Sequence, residues 1–144
     1  MRAVFDTNVF VRALIDPRSR CGRLLSEFSD DYVLVVFPAI VFELLSVITR
    51  PRVQAKFPHL VQLDYGTVLA LFAQAEVVEP DAIPAIARDA DDDKILACAQ
   101  FAEADYLVTE DLDLLVLKTY QGTHICAPLD FIAVLEQRRS EISQ

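Results

Sequence analysis

The stretch Arg2-Ala3-Val4-Phe5-Asp6-Thr7-Asn8-Val9-Phe10 changes its hydrophobic rhythm at Asp6. Before it, Arg2 to Phe5 reads as a short buried strand. After it, Thr7 to Ile15 carries Val9, Phe10, Ala13 and Leu14 at helical spacing. That helix stops at Asp16-Pro17, because a residue before proline avoids the helical region. The alternation continues outward. Arg20 to Phe28 is predicted as a short amphipathic helix, and Tyr32 to Phe37 as a strand apolar on both faces. Pro38 suits the first turn of a helix that runs to Thr49 and ends before Pro51. A helix is expected over about Leu60 to Ala75, then a short strand at Glu76 to Glu79 stopped by Pro80, and a loop from Asp81 to Asp89. Asp91 to Ala104 reads as a helix, Asp105 to Thr109 as a strand and Leu112 to Leu117 as a short helix. His124 to Cys126 is the last strand, and a helix over Pro128 to Arg138 closes the chain. Short apolar strands alternating with helices predict an α/β fold whose parallel sheet is covered on both faces.

Composition sets the limits. The 144 residues suit a single domain, and a hydrophobic content of 53% argues against disorder. There is no internal repeat and no low-complexity tract. The run of apolar residues at the N-terminus ends at Asp6, too early for a signal peptide. The longest weakly charged stretch, Tyr32 to Thr49, contains Pro38 and Glu43. A bilayer span takes about 20 mostly apolar residues and resists a central Glu, so a soluble, cytoplasmic protein without a membrane segment is expected. Cys21, Cys98 and Cys126 are odd in number and widely spaced, which reads as reduced core residues. His59 and His124 are isolated.

Four acids stand in apolar surroundings, where a lone carboxylate is costly: Asp6, Glu43, Asp93 and Asp111. Asp6 and Asp111 follow strands, and ligands of open α/β sheets bind beyond the carboxyl ends of strands. Asp93 stands in the first turn of a helix, and Glu43 interrupts Val41-Phe42 and Leu44-Leu45. Carboxylates gathered in one cleft repel unless a cation neutralises them, and oxygen donors of this kind suit Mg2+ or Mn2+. Such an ion activates water for attack on a phosphodiester. Other roles stay open. Asp6 reads equally as the cap of the helix beginning at Thr7, Asp91 and Asp92 as charges favoured by the helix dipole, and Asp111 and Asp113 as caps. The net charge of −9 excludes attraction of nucleic acid by bulk electrostatics. Arg12, Arg18, Arg20 and Arg23 form one basic group, and Arg50, Arg52 and Lys56 a second. Either group could grip a phosphate backbone, or serve as solvated charge or a protein contact. Neither interleaves aromatic residues for base stacking.

In order along the chain, Val4-Phe5-Asp6-Thr7-Asn8-Val9, Glu43-Leu44-Leu45 with Arg50-Pro51, Arg88 to Leu96, and Leu107 to Leu115 resemble the motifs of the PIN domain family. This family of metal-dependent ribonucleases includes the toxins of VapC-type toxin–antitoxin pairs. The resemblance implies a three-layer α/β/α sandwich around a short, mainly parallel sheet, with one or two Mg2+ or Mn2+ ions in an acidic pocket. Asp6, Glu43, Asp93 and Asp111 match the family's acidic quartet, Asn8 and Thr109 its supporting polar residues, and Asp113 an accessory acid. It further implies cleavage of single-stranded RNA by a metal-activated water, a cognate antitoxin partner and a homodimer. Glu110 departs from the pattern, because the nearest subgroup carries a small residue there. That extra carboxylate could join the metal site, repel RNA or face solvent.

Two other readings compete. A PIN-like module that binds RNA or protein without cleaving it would share the fold, since fold does not fix function. A phosphatase of the haloacid dehalogenase type also uses an Asp after its first strand, but it needs Asp-x-Asp-x-Thr, and Asn8 occupies the second acidic position.

Overall fold

A computed structural model describes residues 1–78 and 91–143, with the backbone alone described for Tyr65 and for residues 91–93. Six strands form one sheet in the order β3-β2-β1-β4-β6-β5. They are β1 (Arg2–Phe5), β2 (Val33–Val36), β3 (Glu76–Val77), β4 (Tyr106–Val108), β5 (Thr119–Tyr120) and β6 (Thr123–Cys126). All neighbours are parallel except β5, which runs antiparallel to β6. The expected sheet flanked by helices is present.

The direction of chain travel explains where a ligand can sit. From β1 the chain moves to β2 and β3 through α1 (Thr7–Ile15), α2 (Arg20–Leu25), α3 (Pro38–Ile48), α4 (Pro51–Lys56) and α5 (Tyr65–Ala70). It then returns past β1 to β4 through α6 (Asp91–Phe101) and continues to β6 past α7 (Leu112–Leu115). Right-handed crossovers in opposite directions place their helices on opposite faces. Accordingly α6 packs against β1 and β4, while α1 packs on α2 and α3. The last helix, α8 (Pro128–Ile142), packs against α2. The reversal of strand order falls between β1 and β4, a crevice at their carboxyl ends.

The core lies against β1. Ala3, Val4 and Phe5 are fully buried. Phe131 of α8 is likewise buried, with its ring edge-on to Phe5 (centroids 6.1 Å apart) and Tyr32 (5.4 Å) and tilted on Tyr106 (5.2 Å). Phe5 also meets Phe10 of α1, which in turn contacts Phe72. Close packing of α2 depends on Gly22, since a Cβ there would stand 2.2 Å from the carbonyl oxygen of Pro17. Cys21, Cys98 and Cys126 are unpaired, the first two buried.

Three local expectations are corrected. The helix over Leu60 to Ala75 is a 3-10 turn at Pro58–Gln62 and a separate α5. Asp64 divides them, its carboxylate accepting from the Thr67 amide (2.7 Å) and hydroxyl (2.9 Å), which caps a new helix instead of continuing an old one. Pro51 does more than end a helix. It sits in the first turn of α4, where a missing amide costs nothing. β5 was not foreseen. It pairs with β6 around Gln121 and Gly122, both at positive φ (49° and 86°), as a tight hairpin turn of this hand requires. The expected loop from Asp81 to Asp89 lies outside the described residues. No helix among the described residues is long and apolar enough to cross a membrane.

Candidate active site

Asp6 sits where β1 passes into α1, so its backbone belongs to the sheet and its side chain to the crevice. One carboxylate oxygen accepts from the Thr7 amide (2.8 Å) as the cap of α1. The other accepts from the Thr109 hydroxyl (2.9 Å), across the switch between β1 and β4. Asp6 is therefore both the cap and a cleft carboxylate. Thr109 is fully buried, and its hydroxyl oxygen also accepts from the Asp111 amide (3.0 Å). Asp111 in turn caps α7 by accepting from the Asp113 amide (2.9 Å). A single chain of hydrogen bonds thus holds Asp6 and Asp111 on adjoining strand ends.

A cleft of about 550 Å3 opens above them, lined among others by Asp6, Asn8, Glu43, Arg50, Lys94 and Asp111. Burial pushes the Asp6 carboxyl above its ordinary value of 3.8, the hydrogen bonds from Thr109 and Thr7 pull it back, and the charges of Glu43 and Asp111 push it up again. Glu43 and Asp111 therefore lie close enough to repel Asp6. Glu43 itself is exposed. Its apolar neighbours in sequence do not surround it, because the buried stripe of α3 is Ile40, Leu44 and Ile48, while Phe42 is 71% exposed.

Other sequence-predicted residues divide clearly. Asn8 is exposed at the cleft, whereas Asp113 contributes its amide and leaves its carboxylate outside the cleft lining. Asp93 stands in the first turn of α6, its side chain outside the described residues, and the following Lys94 and Ile95 line the cleft. Glu110 does not line it; its carboxylate is 2.8 Å from Arg12 Nε. Arg12, Arg18 and Arg20 surround a separate hollow, while Arg23 turns to Glu27 (2.8 Å) and the Phe28 ring. The cationic wall of the cleft is Arg50, from the second basic group of the sequence, and Lys94, which sequence reading missed. The available signal for Lys94 was its position directly after Asp93. Cys98 also lines the cleft, but burial pushes its thiol up to about 11, so it stays protonated.

The PIN domain family model matches residues 2–113, a span that includes the whole cleft. This chain belongs to the PIN domain family. PIN domains are typically nucleases, and they generally use divalent metals. Over 120 residues the chain is 28% identical to the uncharacterised protein MJ1680 of Methanocaldococcus jannaschii, covering 82% of this chain and 76% of that one. Its structure is similar to a chain of VapBC2 from Rickettsia felis, a crystal structure bound to a DNA fragment from the promoter. The TM-score is 0.57 at 13% identity, covering 88% of this chain and 98% of the other. At that identity the likeness concerns the PIN fold.

The donor chemistry suits a small hard cation. Among the described residues no three of His, Cys, Asp and Glu stand close enough to cage an ion outright. An ion of the magnesium type does not need a cage, since it keeps several waters and takes one or two carboxylates directly. Burial first, and then the charges of Glu43 and Asp111, disfavour the ionised form of Asp6, and a bound cation would offset both.

Thr109→Val tests the hydrogen-bond chain. The substitution keeps shape but removes the donor to Asp6 and the acceptor for the Asp111 amide. Stability should fall by about 1–3 kcal/mol, as for unsatisfied buried polar groups. Activity should fall about 10–100-fold, as when the support of a metal ligand is lost. Losing the Thr109 bond raises the Asp6 pKa further, so the rising limb of the pH–rate profile should move to higher pH. An unmoved limb would show that Thr109 does not set the ionisation of Asp6.

Proposed function

We propose that this PIN domain is a Mg2+- or Mn2+-dependent endoribonuclease that cuts single-stranded or loop RNA, and that it is the toxin of a toxin–antitoxin pair. The observation that carries this reading is the convergence of Asp6, Glu43 and Asp111 on one cleft, close enough for Glu43 and Asp111 to raise the Asp6 pKa. Asp6, Glu43, Asp93 and Asp111 would hold the ion. When bound, it supplies activation of a water for attack on phosphorus and neutralises charge developing on the phosphate oxygens.

The remaining work belongs to the chain. Thr109 and the Thr7 amide fix both oxygens of Asp6, so the carboxylate is oriented before substrate arrives. Arg50 and Lys94 bring positive charge to an otherwise acidic cleft, where they can hold the phosphates flanking the cut. Asn8, exposed at the cleft, offers a neutral donor and acceptor. Glu110, the departure from the family pattern, is engaged by Arg12 and leaves the cleft lining to the other acids. The same reading includes a cognate antitoxin and a homodimer. The support for the antitoxin is the fold shared with VapBC2 of Rickettsia felis.

Purified protein should cut mixed-sequence single-stranded RNA in Mn2+ and not in EDTA, and Asp93→Asn should abolish the cut. Millimolar Mn2+ should also raise the melting temperature, because a ligand that binds only the folded state stabilises it. Metal-independent cleavage, or an equally active Asp93→Asn protein, would reject the mechanism.

A further inference from the structure

The acidic cleft does not end at Asp111. It shares Asn8 and Asp111 with a second hollow, lined also by Arg12, Lys56 and Glu110. That hollow shares Arg12 and Glu110 with a third, whose further walls include Arg18, Arg20 and Leu129. The three adjoin through shared walls, so a strand crossing them would follow one trough from the carboxylates to an arginine-rich end. Gly22 lets α2 lie against Pro17, which sets Arg18 of the preceding loop and Arg20 at the start of α2 around the hollow that Arg12 also lines. Among the described residues the guanidinium groups of Arg18 and Arg20 have no carboxylate partner. Arg12 does have one, and it stands at the junction.

We propose that Glu110 is an internal competitor for substrate phosphate, holding Arg12 in the unliganded protein and giving it up when a single strand runs from the acidic cleft toward Arg18 and Arg20. This rests on the ribonuclease reading for the identity of the strand. The Glu110 carboxylate lies 2.8 Å from Arg12 Nε, and its Oε1 also accepts a long contact from the Cys21 thiol (3.6 Å). A carboxylate and a phosphodiester present two anionic oxygens in similar ways to a guanidinium, so one can replace the other. The exchange is feasible because the pair is open to water, the side chains of Arg12 and Glu110 being 61% and 39% exposed. Exposed pairs are weak, whereas a polyanion gains further by releasing counterions. Glu110 thereby sets how tightly the trough grips nucleic acid.

The test uses a fluorescein-labelled 12-nucleotide RNA and four proteins: wild type, Glu110→Gln, Arg12→Gln and the double variant. In EDTA, Glu110→Gln should bind about fivefold tighter, the scale of an exposed ion pair that need not be broken. Its log affinity should fall more steeply with log salt, by roughly 0.7 for one further phosphate neutralised on a single strand. Arg12→Gln should weaken binding, and adding Glu110→Gln to it should restore nothing. In Mn2+ the Glu110→Gln gain should appear in KM and not in kcat. Unchanged affinity and salt slope in Glu110→Gln would overturn the proposal. So would an equal gain in the Arg12→Gln background, which would mean bulk charge alone. Preferential displacement by a glutamate-rich peptide would assign the hollow to a protein partner and overturn it as well. The expected binding pattern without cleavage would remove the nuclease reading and leave this one standing; cleavage with a silent Glu110→Gln would do the reverse.

Discussion

Asp6→Asn is expected to abolish metal-dependent cleavage while making the metal-free protein harder to melt. The two effects share one cause. Asp6 is partly desolvated and faces the charges of Glu43 and Asp111, so its folded pKa lies above the ordinary 3.8. Well below that value the carboxyl is protonated whether the chain is folded or not. As pH rises through the folded pKa, the unfolded chain has already released its proton and the folded chain must follow at a cost, so stability declines toward neutrality. Asparagine removes the charge and keeps both neighbours with one bond reversed: its carbonyl can accept from the Thr7 amide, and its amide can donate to the Thr109 hydroxyl oxygen, which donates to Asp6 in the wild type. The melting temperature of Asp6→Asn in EDTA should therefore exceed that of wild type at pH 7, with the difference vanishing below the ordinary carboxylate range. Millimolar Mn2+ should reverse the ranking by stabilising wild type alone. In turnover, losing several kcal/mol of charge stabilisation corresponds to a fall in kcat of about 10³-fold. A variant that melts lower than wild type in EDTA at neutral pH would contradict this account of the cleft.

The largest effect on stability is expected at Phe131→Ala, about 3–5 kcal/mol for a fully buried aromatic ring. The ring touches Phe5, Tyr32 and Tyr106, which belong to or adjoin three neighbouring strands. The melting temperature should drop by about 10 °C or more. Because Phe5 immediately precedes Asp6, the loosened strand end should also weaken Mn2+ stabilisation in the fraction that remains folded. Urea unfolding measures the first effect. A loss below about 1 kcal/mol would mean that the surrounding rings close the cavity by repacking.

The parts of this protein legible in its sequence are those governed by local rules. The passage from β1 to α1 is visible because the apolar period changes at one residue, and α1 falls on Thr7–Ile15 as the spacing and Asp16-Pro17 require. Asp6 and Asp111 are legible because strand ends in α/β sheets converge. Glu43 shows the limit of that logic. A run of apolar letters around an acid looks like burial, yet helix geometry sends Leu44 inward and Phe42 outward, and Glu43 ends in water beside the cleft. The arginines show it again. Arg23 is near Arg20 in the chain but turns to Glu27, while Lys56 comes from a distant segment to line the hollow that Arg12 lines. The partner of Glu110 could not be read at all, since no local rule connects it to Arg12. Asp64 misled through its dual nature: within a helical pattern it looks like a surface residue, and only the contact with Thr67 marks it as a beginning.

Among the described residues the sheet closes on each side with a minimal strand, Glu76–Val77 at one margin and Thr119–Tyr120 at the other. So little unpaired backbone at either margin offers scant template for a visiting extended peptide. Lasting association with another macromolecule must then be won through the outward sides of helices and through charge, and crowding at high concentration should favour loose, salt-sensitive contacts over fibrillar stacking.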